Sequence, residues 1–412
     1  MRYLVWMVLA AWCAIAVLPA PARADDKAVT AQLQRLIDTY VKERTAIEGI
    51  SGIALRVDRG SGKPVMALFS GTDGRQPSRP IGPRTLFQIG SNTKHFTAAL
   101  ILRLEADGIL NIDQTLGQWL PQYTAWSNVT IRSLLNMTAP IPTYSETVSI
   151  GTIVATELNH QFALSDLVAA VDPGNGQKFP LPTGWFYSNT NNILAAMIIE
   201  AATQQPFQDV LQAKLLRPLN LQDTYYARGA YPEAVLARVP RGLYQNQACL
   251  EYQPKPCSKP TLGPLIGKDV SRENLSWAGP AGAIIASPGD LERWIRALFS
   301  GKVLPQKQLD EMQTLVSRKT GKPIGDVSAD DPAGFGLDLG RLYDPATGEA
   351  FWFYEGETLG FRAFFVFWPQ YDLVITAFTN SQPPEGEDKF GQQVISGTFR
   401  ILQQAGAIQR RK

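Results

Sequence analysis

Ser91-Asn92-Thr93-Lys94 places a hydroxyl three residues ahead of an amine. A serine hydroxyl is a poor nucleophile until a neighbour takes its proton. Residues three apart lie side by side on a helix, so a helix starting near Ser91 presents the two groups together. Its first turn would also aim free backbone N–H groups and the positive end of the helix dipole at an oxyanion forming there. The pair points to acyl transfer. Ser91 heads the only Ser-x-x-Lys in the chain, and Tyr187-Ser188-Asn189 follows further on with a phenol and an amide.

Several segments are positioned to hold these groups. Val29, Leu33, Leu36, Ile37, Tyr40 and Val41 recur at helical spacing, predicting a helix from about Lys27 to Arg44. Ile50 to Val57 and Pro64 to Ser70 read as strands joined through Arg59-Gly60-Ser61-Gly62. A strand-like run, Thr85 to Gly90, precedes the serine, and the helix it enters should end at Asp107-Gly108. From there to about Tyr226 the pattern is helical. Residues 229–275, rich in proline and polar side chains, are expected to form a long surface excursion. Ser287-Pro288-Gly289-Asp290 carries the signals of a helix start. Strands are then predicted over Gly334–Leu342, Ala350–Glu355, Gly360–Trp368 and Asp372–Thr379, with a closing helix near Gln392 to Gln404. Strands at both ends with helices between imply an α/β (α+β) fold. An antiparallel sheet flanked by helices would be shared by the two ends, with a mostly helical subdomain inserted. The boundaries expected are a sheet subdomain at about 25–95 and 276–412 and a helical subdomain at about 96–275, forming a single domain over 25–412. The serine would sit at the seam, a common place for a cleft.

Residues 1–24 have the features of a signal peptide: Arg2, an apolar run from Tyr3 to Leu18, and Ala22-Arg23-Ala24 ahead of Asp25. Cleavage after Ala24 would deliver a periplasmic or secreted chain. The apolar run is short for a membrane span, and no later segment is long enough. Of 39 basic and 37 acidic residues, Arg2 and Arg23 leave with the leader, so the remaining charges balance. A neutral chain without a Lys/Arg cluster gives no reason to invoke nucleic acid or an anionic membrane. Cys249 and Cys257 survive cleavage; in an oxidising compartment they pair, and otherwise they are free thiols. With His95 and His160 as the only histidines, no metal site and no cofactor are expected. The expected partner is a small-molecule or peptide substrate, and the oligomeric state is left open.

From about Ile50 to Asn380 the chain resembles the penicillin-recognising serine hydrolases: class C β-lactamases, DD-carboxypeptidases, D-aminopeptidases and related esterases. The likeness lies in Phe87 to Leu110 around the serine, Leu134-Leu135-Asn136-Met137-Thr138, Tyr187-Ser188-Asn189-Thr190-Asn191 and Arg217-Pro218-Leu219-Asn220-Leu221. It continues through Ala278-Gly279-Pro280-Ala281-Gly282 to Trp294, and in Gly360-Phe361. The resemblance implies a β-lactamase-like fold. It also implies Ser91 as nucleophile, Lys94 as its proton acceptor or relay, Tyr187 as acid/base for the leaving group and then for water, and Asn189 as a holder of the substrate amide. The oxyanion donors would be the N–H groups of Ser91 and of about Glu357. Free lysine and tyrosine are poor bases at neutral pH. Burial lowers a lysine, and a cation lowers a neighbouring tyrosine. Both groups are therefore expected to shift downward, sharing protons as a cluster.

One motif departs. Where relatives carry Lys-Thr-Gly or His-Thr-Gly, alignment on Gly360-Phe361 puts Tyr354-Glu355-Gly356. Gly356 keeps room for a close approach by the acyl chain. A carboxylate at Glu355 about 4 Å from a substrate carboxylate would repel it by about 4 kcal/mol at an effective dielectric near 20, roughly three decades of binding. The expected substrates are esters or amides lacking a free carboxylate, or ones with an amine near Glu355 or Glu357. The alternative is that both glutamates face water. Arg362 is a candidate to restore carboxylate binding. His95 is a competing base on the same helix face, though no acid is evident to orient it. Tyr244-Gln245-Asn246 repeats the Tyr-x-Asn pattern by coincidence, and Trp352 or Trp185 are candidates to line the cleft. The function expected is an exported serine hydrolase acting through an acyl-enzyme on Ser91. Its alternative is a catalytically weak penicillin-binding-like binding or sensing module.

Overall fold

The computed structural model describes residues 25–60 and 62–411; the expected leader lies outside them. A nine-stranded antiparallel sheet forms the scaffold. Its strands are β1 (Gly52–Asp58), β2 (Met66–Gly71), β3 (Leu315–Ser317), β4 (Pro323–Ile324), β5 (Ala333–Phe335), β6 (Gly340–Asp344), β7 (Glu349–Glu357), β8 (Arg362–Trp368) and β9 (Leu373–Thr379). Their order is β2-β1-β9-β8-β7-β6-β5-β3-β4, so the N-terminal hairpin docks on the last strand. Alternation sorts the side chains between two cores. Ile53, Leu55, Val57, Ile375 and Val366 face one, and Ala54, Phe378, Ala363 and Phe365 face the other.

Helix α1 (Asp26–Glu48) covers the first face through Val29, Leu33, Ile37 and Tyr40, together with the C-terminal helix α5 (Ser396–Gln404). Asp25 caps α1 by accepting from the Lys27 amide, and Gly49 ends it in the left-handed conformation (φ 69°), which glycine adopts without steric cost. On the opposite face lie α2 (Lys94–Ala106), α3 (Asn189–Thr203) and α4 (Pro288–Phe299). Ser287 caps α4 by accepting from the Asp290 amide at 3.2 Å. Among the described residues no helix is long and apolar enough to cross a membrane.

Three expectations need correction. The run 334–342 is two strands, because Gly336 to Leu339 break out of the sheet and Asp338 takes φ 54°. The run before Ser91 is a strand only at Phe87–Gln88, followed by a 3-10 turn over Gly90–Thr93 that leads into α2. Residues 229–275 are more than a surface excursion: Leu243–Tyr244 pairs with Ser381–Gln382, and the stretch folds back over the cleft.

Candidate active site

Ser91 stands in the tight turn between that short strand and α2, and its neighbours pin the turn to the scaffold. Asn92 Nδ2 donates to Ala363 O at 2.8 Å and to Ile89 O at 3.1 Å, while Thr93 Oγ1 accepts from the Ile284 amide. Glycines permit the close contact with β7. A Cβ on Gly356 would lie 1.9 Å from Ile89 O and 2.8 Å from the Asn92 amide nitrogen. A Cβ on Gly90 (φ 51°) would lie 2.4 Å from the Glu357 amide nitrogen. Gly356 thus makes room for the backbone of the nucleophile turn, where the sequence suggested room for the acyl chain. The Ser91 and Glu357 backbones are neighbours as a result.

Tyr187 precedes α3. Its segment is held by Asn189 N to Thr143 Oγ1 (3.1 Å), Thr190 Oγ1 to Pro142 O (2.7 Å) and Phe186 N to Met137 O (2.9 Å). The three groups meet at one oxygen. Lys94 Nζ lies 2.8 Å from Ser91 Oγ and donates to Ala281 O at 2.7 Å. The Tyr187 hydroxyl donates to Ser91 Oγ at 2.7 Å. Lys94 Nζ also sits 4.8 Å from the centre of the Tyr187 ring.

Burial shifts the two partners in opposite directions. Lys94 is fully buried, and desolvation of its ammonium brings its pKa down to about 7, against an upward pull from Asp338. Tyr187 moves upward instead, because burial disfavours the phenolate more than its hydrogen bond with Ser91 favours it. The expected downward shift of tyrosine fails because desolvation of the phenolate outweighs the hydrogen bonds with Ser91 and Tyr354 that favour it, and Asp338 and Glu357 add to the rise. Lys94 is therefore suited to accept a proton and Tyr187 to donate one. Asp338, which sequence reasoning missed, is pushed up to about 8 by burial, with Lys94 pulling the other way and Asn192 donating to it at 2.6 Å. A lone acid amid Leu337, Leu339 and two glycines was the available signal.

His95 does not compete for the proton. Its Nδ1 accepts from the Trp294 indole at 2.9 Å, and burial brings its pKa down to about 3. His160 bonds to Glu157 at the surface. Arg362 is buried and occupied by Glu48, Asp388 and Ser381 O, so it offers nothing to a substrate.

Two cavities open from Ser91. The first, about 300 Å³, is walled by Tyr144, Ile150, Asn189, Leu250 and Trp277, with Glu357 at its edge. Asn189 Nδ2 donates to Ser145 Oγ at 2.8 Å. Tyr244 and Asn246 line this cavity, so the second Tyr-x-Asn belongs to the wall of the cleft. Cys249 lines it as well and is joined to Cys257 by a disulfide. The second cavity, about 360 Å³, is lined by Tyr187, Trp185, Arg318, Tyr354, Glu355 and Glu357. Trp352 instead sits in the core. Burial and the neighbouring Glu357 push Glu355 up to about 9, favouring its neutral form. The repulsion expected from Glu355 is thereby weakened, while Glu357 lines the same cavity. Glu357 accepts from Gln382 Nε2 at 3.0 Å.

A seryl hydroxyl held between a buried amine and a phenol, on an antiparallel sheet flanked by helices, defines the class of serine hydrolase with a β-lactamase-like fold. Residues 36–396 match the Beta-lactamase family, and the chain belongs to it. It is 34% identical over 160 residues to penicillin-binding protein 4* of Bacillus subtilis (strain 168), covering 38% of this chain and 34% of that protein. It is 26% identical over 235 residues to esterase EstB of Burkholderia gladioli, covering 52% of this chain and 56% of EstB. The alignment thus spans about a third of the first of these relatives and just over half of the second. A D-stereospecific amidohydrolase from Streptomyces sp. superposes with a TM-score of 0.68 at 26% identity, covering 90% of this chain and 98% of that one. Likeness to an esterase and an amidohydrolase supports a hydrolase function.

Proposed function

We propose that the protein is an exported serine hydrolase that cleaves a small amide or ester through an acyl-enzyme on Ser91. The observation that carries this reading is the convergence of Lys94 Nζ and the Tyr187 hydroxyl on Ser91 Oγ, at 2.8 and 2.7 Å. Neutral Lys94 takes the Ser91 proton as Oγ attacks the carbonyl carbon, and the oxyanion is held by the N–H groups of Ser91 and Glu357. When the tetrahedral species collapses, the carbon–leaving-group bond breaks and Tyr187 gives its proton to the departing oxygen or nitrogen. Tyr187 recovers a proton from the Lys94 ammonium through the site. A water molecule then enters, surrenders a proton to the same pair and releases the acid, returning Ser91 to its starting state. Asn189 holds the substrate amide on the side of the first cavity, and Tyr354-Glu355-Gly356 borders the leaving group. In this reading residues 25–412 form one domain, with sheet and helical subdomains meeting at the serine.

Incubation with a fluorophosphonate followed by intact-mass measurement tests the assignment. One adduct, absent in Ser91→Ala, is expected; an unmodified wild-type chain would favour a binding module.

A further inference from the structure

The stretch that folds back over the first cavity has no regular backbone structure of its own. Residues 245–262 contain neither helix nor strand, yet Asn246, Ala248, Cys249, Leu250 and Leu262 form one wall of the cavity that opens from Ser91. An irregular segment holds one shape only where cross-links offset the conformational entropy it loses. One such link is the Cys249–Cys257 disulfide. Beside it, Gln253 Nε2 donates to Lys259 O at 2.6 Å and Gln253 Oε1 accepts from Thr261 Oγ1 at 2.9 Å. These links are internal: they shape the loop but do not fix where it lies over the cleft.

Glu146 fixes that position. Its carboxylate accepts from the Glu251 amide at 2.9 Å, and its carbonyl accepts from the Tyr252 amide at 3.3 Å. The other side of the same short turn, Tyr144–Glu146, meets the substrate-holding amide: Ser145 Oγ accepts from Asn189 Nδ2 at 2.8 Å. Thr143, just before the turn, accepts from the Asn189 amide at 3.1 Å and donates its own amide to the Tyr252 hydroxyl at 3.4 Å. One turn thus touches Asn189 on one side and the loop on the other. Leu250, only 7% exposed, packs where Gly151 leaves room, since a Cβ on Gly151 would lie 2.6 Å from Leu250 Cδ1.

We propose that Glu146 is a positioning residue: it latches the disulfide-closed loop onto the turn that holds Asn189, so that Leu250 completes the cavity wall against an apolar acyl group. Ile150, Val154, Leu250 and Trp277 present the matching surface, and no lysine or arginine lines this cavity. The latch acts through an accepted hydrogen bond, which an amide oxygen can make in place of a carboxylate. The hydrolase reading supplies the assignment of this cavity to the acyl group; the latch and the preference for an apolar ligand stand without it.

Calorimetry on the full chain carrying Ser91→Ala measures binding without turnover. The probes are p-nitrophenyl 3-phenylpropanoate and p-nitrophenyl acetate, which share a leaving group and differ by a benzyl group on the acyl side. The phenylpropanoate is expected to bind at least about tenfold tighter, from burial of its ring. Adding Glu146→Ala should cut that preference at least about threefold. Glu146→Gln should hold it within about twofold of the parent, because its amide oxygen still accepts from the Glu251 N–H. Leu250→Ala, which shortens the wall and leaves the latch intact, should cut the preference as well, and it decides the matter where Glu146→Ala does not fold. Equal Kd values in the parent, a preference that survives Glu146→Ala or Leu250→Ala, or a Glu146→Gln that loses as much as Glu146→Ala would overturn the latch. Acyl-enzyme formation is judged separately by the Ser91 adduct, so either idea can fail alone.

Discussion

Replacing Lys94 by methionine removes the amine at nearly constant volume, so the fully buried site stays filled. With a pKa brought down to about 7, roughly half of the lysine is neutral at pH 7; at its ordinary value the neutral fraction would be roughly three decades smaller. The base is the unprotonated form, so kcat/KM should climb with pH and level off above about 7. Between pH 7 and pH 5 it should fall toward a hundredfold below the plateau, since each pH unit below the pKa removes about a factor of ten of neutral amine. In Lys94→Met the loss should be about two to four decades, or roughly 3–5 kcal/mol of transition-state stabilisation, and the rising limb should vanish. The assay is a stopped-time hydrolysis of p-nitrophenyl acetate across pH 5–9, alongside His95→Gln, which should keep the limb because His95 is bonded to Trp294. A limb that persists in Lys94→Met and disappears in His95→Gln would refute the assignment of the base.

Two further perturbations test how the site is built. Gly356→Ala forces a Cβ against Ile89 O and Asn92, so it should cost at least about 2 kcal/mol by urea denaturation and lower kcat as the Ser91 turn shifts. Gly325→Ala, with nothing within 4 Å of the added carbon, should be near neutral, and equal effects at both glycines would sink the packing argument. Glu273, buried against Trp277 on the wall of the first cavity, has its pKa pushed up to about 8 by desolvation. A raised carboxyl gives stability that is complete below its unfolded value and is lost as pH rises through about 8, up to roughly 5 kcal/mol. Thermal melts should therefore show Glu273→Gln gaining on the wild type from pH 5 to pH 9; a constant difference would contradict it.

The parts of this molecule that depend on local pattern were legible in the chain. Apolar spacing from Val29 to Val41 located α1, and Ser287-Pro288-Gly289-Asp290 located the start of α4. The pairing of Ser91 with Lys94 followed from spacing alone, and Tyr187 was reached through the resemblance. What stayed hidden depends on burial and on contacts between distant segments. Asp338 acts on Lys94 from a break in the sheet that alternation smoothed over, and Arg318 lines the second cavity from the position just after β3. Glu355 was assigned a charge because its residue type is usually exposed, and its surroundings disfavour that charge. Residues 229–275 looked like surface because they are polar and proline-rich, yet Tyr244, Asn246 and Leu250 wall the first cavity.

The opposed shifts of Lys94 and Tyr187 impose an order on the proton transfers. A phenol held neutral by burial cannot start the reaction as a base, so the first proton has to pass to the amine. That step creates an ammonium in a dry site, which is costly unless a negative charge is at hand. Asp338 supplies it. Burial raises its own pKa to about 8, with Lys94 pulling it down, so ionisation of one group favours ionisation of the other. Asn192 donates to Asp338 at 2.6 Å and so favours its ionised form as Lys94 gains charge in acylation. Tyr187, still protonated, then has the one proton positioned for the leaving group. An exposed lysine would be cheaper to protonate but would already be protonated at neutral pH. Complete burial beside a single acid answers both demands.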